Sequence, residues 1–129
     1  MQVYEKYITV NKNDLDELNH VNNVRYVQWI QDIAKAHWEQ NTTKNIRDSF
    51  FWVVVNHFIE YKSPAFLNDQ ILIKTYVTNY TSVTSTRVVE MHKNDKLLVK
   101  AETVWCLLST DTNRPARITE EIKSLFVNS

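Results

Sequence analysis

Not one of the 129 residues is glycine. Every backbone position that needs a positive φ must then be filled by a residue carrying a Cβ, and asparagine and aspartate tolerate the left-handed region best. Thirteen asparagines are available for that task. The same absence excludes the glycine-rich loops of dinucleotide-binding and P-loop folds, whose backbone approaches a phosphate where a Cβ would intrude.

Other function classes fall away on charge and on the reactive side chains. Fifteen basic residues balance fifteen acidic ones, so no net field draws the chain to nucleic acid or to an anionic membrane. No apolar run approaches membrane-spanning length, and the opening Met1–Lys6 segment is neither a signal sequence nor a lipidation motif. The expectation is a soluble, cytoplasmic protein. Cys106 is the only cysteine and sits in a strand-like run, Thr103–Leu108, which favours a packed thiol over a nucleophile. His20, His37, His57 and His92 are scattered without ligand spacing, so neither a metal nor a cofactor is expected.

Periodicity orders the remainder. Residues 2–10 alternate, with Tyr4, Ile8 and Val10 on one face, and predict a strand. Asn11 to Asn19 is rich in capping and turn-forming side chains. From Asn22 to about Gln40, apolar Val24, Val27, Ile30, Ala34 and Trp38 recur near helical spacing and predict one long helix. Asn41 to Asp48 is a polar break. Phe50 to Tyr61 is apolar enough to read as a strand buried on both faces, ended by Pro64. Ile71–Tyr80, Val83–His92 and Leu97–Ser109 predict three more strands, the last two joined by a tight turn at Asn94-Asp95. Thr119 caps a short terminal helix with Ile122, Leu125 and Phe126 as its apolar stripe. Strand, long helix, then four strands predicts an α+β domain over residues 1–129, a curved, mainly antiparallel sheet of about five strands around one central helix.

Chemistry concentrates just ahead of that helix. Asp16 precedes a helix start, where unpaired N–H groups and a partial positive charge can polarise a carbonyl. The run Asp16, His20-Val21-Asn22-Asn23 and Tyr26 resembles the signature of hotdog-fold acyl thioesterases, the branch similar to 4-hydroxybenzoyl-CoA thioesterase. Phe58–Ala65, Asn79–Val83 and Thr103–Trp105 resemble later segments of the same family, so the likeness spans nearly the whole chain. It implies the hotdog fold and thioester hydrolysis, with Asp16 as the catalytic carboxylate, acting either as nucleophile or as a base on water. His20, Asn23 and Tyr26 become supporting residues, and the backbone amides of Val21 and Asn22 the donors to the thioester carbonyl.

This chain departs from the pattern at Asn19, where many members carry glycine before the histidine; asparagine is the best substitute if φ is positive there. Plant acyl-carrier-protein thioesterases have a similar run, with an Asn and a downstream Glu where this chain has Leu18 and Pro64. A mechanism that needs those two groups does not carry over.

The resemblance also implies an acyl-CoA or acyl-carrier-protein substrate and a site between subunits of a homodimer or homotetramer. Lys62, Arg87, Lys93, Lys96 and Lys100 are candidate cations for coenzyme A phosphates, and each also reads as a solvated strand-face charge. His37 and His57 read as packing histidines. A noncatalytic acyl-binding hotdog protein is the competing class, since fold alone does not fix function; hotdog dehydratases, which use a His with an acidic partner on the helix, are a weaker enzyme alternative.

Overall fold

Strands β1 (Tyr4–Thr9), β2 (Phe50–Tyr61), β3 (Gln70–Tyr80), β4 (Thr84–Lys93) and β5 (Lys96–Ser109) form one sheet in the order β1-β3-β4-β5-β2, and every neighbouring pair is antiparallel. The computed structural model describes residues 2–127. Its helices are α1 (Asn23–Asn41), α2 (Lys44–Ser49) and α3 (Glu120–Ser124), and one 3-10 turn spans Lys12–Asp14. Bulges between Val54 and Asn56, Val77 and Asn79, and Met91 and His92 interrupt the register and bend their strands.

The long helix starts where its cap dictates. Asn22 is extended, and its side chain accepts the Val24 N–H. Tyr26, Ile30, Ile33, Ala34, His37 and Trp38 are buried and fall on one helical face. That face lies on side chains of matching strand parity: Ile71, Ile73, Thr75 and Val77 from β3, Ser85, Arg87, Val89 and Met91 from β4, and Val99, Ala101, Thr103 and Leu107 from β5 are all buried. Ile30 is fully buried at the centre, which contributes about 1.5–3 kcal/mol by transfer from water.

Turns use the residues that the missing glycines leave. Asn19, Asn68, Asn94, Asp95 and Asn113 are the positive-φ positions among the described residues. Asn94 and Asp95, with φ of 48° and 65°, close the β4–β5 hairpin as expected, because that two-residue turn needs φ above zero at both positions.

Several expectations need correction. Asn41 to Asp48 is not simply a polar break: Thr43 accepts the Ile46 N–H and starts α2. Val24 is 74% exposed, since it lies off the helical face that Tyr26, Ile30, Ile33 and His37 bury. Cys106 is half-buried. The largest change concerns β2. It is an edge strand, paired only with β5, and Val55 and Phe58 are 57% and 64% exposed rather than enclosed.

Candidate active site

The segment between the 3-10 turn and α1 is folded around two aspartates. Asp14 is buried, accepts the Asn11 N–H at 2.9 Å and pairs with Arg25 Nε at 3.1 Å, which ties the segment to the first turn of α1. Asp16 is half-buried. Its Oδ1 accepts the backbone N–H groups of Leu18 at 2.9 Å and His20 at 3.2 Å, and its own N–H donates to the His20 carbonyl at 2.8 Å. A closed loop of this kind needs one left-handed residue, and Asn19 supplies it at φ 61°. Oδ2 of Asp16 has no hydrogen-bond partner among the described residues, so one oxygen holds the loop and the other makes no bond within it.

The other predicted residues gather around this loop with different parts to play. His20 is half-buried and packs edge-on against Phe66, ring centroids 5.2 Å apart. Tyr26 is buried, and its hydroxyl accepts the Ala65 N–H at 3.2 Å, fastening the loop after β2 to the helix start. Burial, the larger influence, pushes the Tyr26 phenol up from its ordinary value, and the Ala65 bond opposes it. Tyr26 is thus held as a neutral strut.

The expectation that the Val21 and Asn22 amides serve as open donors is not met. Val21 N–H donates to the Ala65 carbonyl at 3.0 Å, and Asn22 N–H to the Asp14 carbonyl at 2.8 Å. The next amides inward are also used: Val24 N–H by the Asn22 cap, and Arg25 and Tyr26 N–H by the Asn22 carbonyl. In this stretch the Asn23 N–H is left without a partner among the described residues, at the positive end of α1. The acceptors of the two lost donors come from other turns of the chain, which no local spacing reveals.

Of the candidate phosphate cations, Lys62 pairs with Glu60 at 3.4 Å and Lys93 with Asp69 at 2.7 Å, while Lys96 and Lys100 are exposed. Arg87 departs from the expectation altogether, being 7% exposed beneath α1. Its Nη1 donates to His37 Nδ1 at 2.8 Å and to Thr75 Oγ1 at 3.2 Å. Because arginine can only donate, His37 Nδ1 is the acceptor, and Nε2–H donates to Gln2 Oε1 at 2.6 Å. Burial first, and then the Arg87 charge, lower the His37 pKa to about 4. His57 bonds Thr103 Oγ1 through Nδ1 at 2.8 Å and is lowered by burial, but its Nε2 is buried without a partner among the described residues, so of the two packing histidines only His37 is fully satisfied.

Two cavities are prominent, and Asp16 is on the wall of neither. One, of about 480 Å³, lies between α1 and the start of β2 over Ser85, Arg87 and Trp105. The other, of about 540 Å³, is polar and flanks the β4–β5 hairpin. No helix among the described residues is long and apolar enough to cross a membrane, and none of their acidic, histidine and cysteine side chains cluster as metal ligands.

A five-stranded antiparallel sheet carrying one long helix is the hotdog fold. The profile of the thioesterase-like superfamily matches residues 10–126, and the chain belongs to that superfamily, whose reaction class is thioester hydrolysis. Among solved structures, the chain is similar to Slr0204, a 1,4-dihydroxy-2-naphthoyl-CoA thioesterase from Synechocystis, with a TM-score of 0.82, 16% identity, and 96% of this chain and 95% of that one covered. It is similar to SAV2348 from Staphylococcus aureus, solved in complex with CoA, at a TM-score of 0.86 and 17% identity, covering 96% and 81% of the two chains. YbaW, a probable thioesterase from Escherichia coli, aligns at 0.84 with 20% identity and 94% of each chain. At these identities the likeness establishes the fold. Among curated protein sequences, none matches.

Proposed function

We propose that residues 1–129 act as one hotdog unit, an acyl-CoA thioesterase whose catalytic carboxylate is Asp16. The observation that carries this reading is the division of labour within that carboxylate: Oδ1 is committed to the Leu18 and His20 amides, and Oδ2 is unpartnered beside the start of α1. The Asn23 N–H, at the positive end of the helix, is the donor suited to a thioester oxygen that gains charge as the carbonyl is attacked. Oδ2 either adds to that carbonyl, expelling the coenzyme A thiolate and leaving a mixed anhydride for water to open, or takes a proton from a water that adds in its place. Both routes end in a free acid and coenzyme A. His20 and Tyr26 position the loop. The CoA-bound and CoA-thioesterase neighbours support coenzyme A as the carrier ahead of acyl carrier protein, and such a substrate puts the enzyme in the cytoplasm.

A second copy of the chain completes the site in this reading. The twelve-residue edge strand β2 leaves one row of backbone groups unpaired and exposes Val53, Val55, Phe58 and Tyr61, a surface suited to strand pairing with another protomer. Asp16 is on the wall of neither prominent cavity, in keeping with a pocket walled by two protomers; a homotetramer would pair such dimers.

Asp16→Asn tests the assignment cleanly, because the asparagine oxygen can still accept the two loop amides while the charge is lost. Release of coenzyme A from short, long and aromatic acyl-CoA substrates should fall by about 100-fold or more. Full activity in a folded Asp16→Asn protein overturns the role of Asp16, and no hydrolysis of any acyl-CoA by the parent protein leaves acyl binding as the better reading. Thioester loss should be followed by its ultraviolet absorbance, since Cys106 would react with a thiol dye.

A further inference from the structure

Arg87 is a buried cation with no carboxylate partner among the described residues. Its only hydrogen bonds among the described residues run from Nη1 to neutral acceptors, His37 Nδ1 and Thr75 Oγ1. The Phe126 ring lies 5.7 Å from the guanidinium carbon and supplies a weak, uncharged counterpart. Taking a charge out of water without a counter-ion costs several kcal/mol, so buried guanidinium groups are normally paired. Nε and Nη2 make no hydrogen bond to described residues, yet they are not among the sealed, unsatisfied atoms, which are His57 Nε2 and Trp105 Nε1. For a side chain 7% exposed on a cavity wall, the route to those donors is the cavity itself.

The rest of that cavity is consistent with a bound anion. Trp105 and Ser85 are on the same wall. Trp38, Phe50 and Trp52 provide apolar walls. Two carboxylates share the lining, Asp32 accepting from Gln28 Nε2 at 2.8 Å and Glu39 lying 3.8 Å from Lys35 Nζ, and against them stand the cations of Lys35, Arg47 and Arg87. A volume of about 480 Å³ falls within the range of small-molecule sites.

We propose that the cavity between α1 and the start of β2 is a binding site for an organic carboxylate with a compact apolar body, its charge received by Arg87 and its body lying against the wall that Trp38 and Trp52 form by packing edge-on. A carboxylate matches the two free donors of a guanidinium edge with parallel hydrogen bonds, and a neutral amide does not. The binding claim stands independently of thioester hydrolysis.

Three of the four tryptophans, Trp38, Trp52 and Trp105, line the cavity, so intrinsic fluorescence reports occupancy and titration calorimetry gives the affinity. Benzoate, phenylacetate and glutarate are titrated against their uncharged amides. At least one acid should bind the parent protein about tenfold or more tighter than its amide, a preference lost in Arg87→Gln and partly kept in Arg87→Lys. The acid–amide comparison in the parent protein needs no variant to fold. Equal affinity for acid and amide, no binding of any acid, or an undiminished preference in folded Arg87→Gln each overturns the proposal.

Hydrolysis then identifies the source of the carboxylate. If the kcat/KM ratio of glutaryl-CoA to pentanoyl-CoA falls in Arg87→Gln, the carboxylate is the far end of the acyl group; if acid binding is lost and the ratio holds, the ligand is a separate free acid. Failure to hydrolyse either thioester counts against the proposed enzyme and leaves the binding result standing.

Discussion

Lowering the pH should destabilise this protein through one ring. His37 is 1% exposed, stacked on Tyr4 with centroids 5.2 Å apart and met edge-on by Phe126 at 4.9 Å. Its Nδ1 faces Arg87 and cannot take a proton without losing that bond and placing two cations 2.8 Å apart. The unfolded ring binds a proton as the pH falls through its ordinary 6.5, whereas the folded ring resists until about 4. The unfolded state therefore gains protons first, and stability falls across that window. Between neutral pH and about pH 5 the loss from this ring alone comes to about 2 kcal/mol. Urea unfolding followed by tryptophan fluorescence, at fixed protein concentration, should show this loss in the parent protein and not in His37→Gln. The stability gap between the two should shrink by that amount. His57 is shifted in the same direction, and the carboxyls of Asp69 and Glu90 are held low by hydrogen bonds from Lys93 and Tyr76 respectively, against a desolvation that favours their protonation. These groups titrate in both proteins and cancel in the difference. Parallel pH dependence of the two proteins, or a His37 ring resonance that titrates near 6.5, refutes the reasoning.

Other perturbations follow from named contacts. Ile30→Ala should cost about 2–5 kcal/mol by opening a cavity under the centre of α1, read from the urea midpoint. Asn19→Val should cost about 1–2 kcal/mol because a β-branched residue is forced to positive φ, while Asn19→Gly should leave stability nearly unchanged; equal effects would remove the backbone explanation. Phe58→Lys puts a charge on the exposed edge of β2 and should shift the protein to monomer in light scattering, with thioesterase activity lost alongside. An unchanged assembly state would place the protomer contact elsewhere.

Much of the fold could be read from the residues because its signals are local. The 3.6-residue recurrence through Ile30, Ala34 and Trp38 and the Asn94-Asp95 turn each act over a few positions, and the structure follows them. The edge position of β2 was not readable, since alternation tells which face a side chain takes and not which strand lies alongside. α2 is six residues long, too short for a period to emerge, and Thr43 was its one signal. At the site, Asp16 stood out because its loop is built from neighbours, whereas the amides of Val21 and Asn22 are consumed by carbonyls brought in by folding. Arg87 carried a clue that charge overrode: it shares the inward parity of Ser85, Val89 and Met91, and strand alternation already placed it under the helix.

A chain without glycine also has less disorder to surrender. An average protein of this length would contain about nine glycines, and replacing each where the geometry allows narrows the denatured ensemble by about 0.4–1 kcal/mol. The five left-handed asparagine and aspartate positions return part of that gain. Stability here is set partly by what the unstructured polypeptide is prevented from exploring, before any contact in the native state forms.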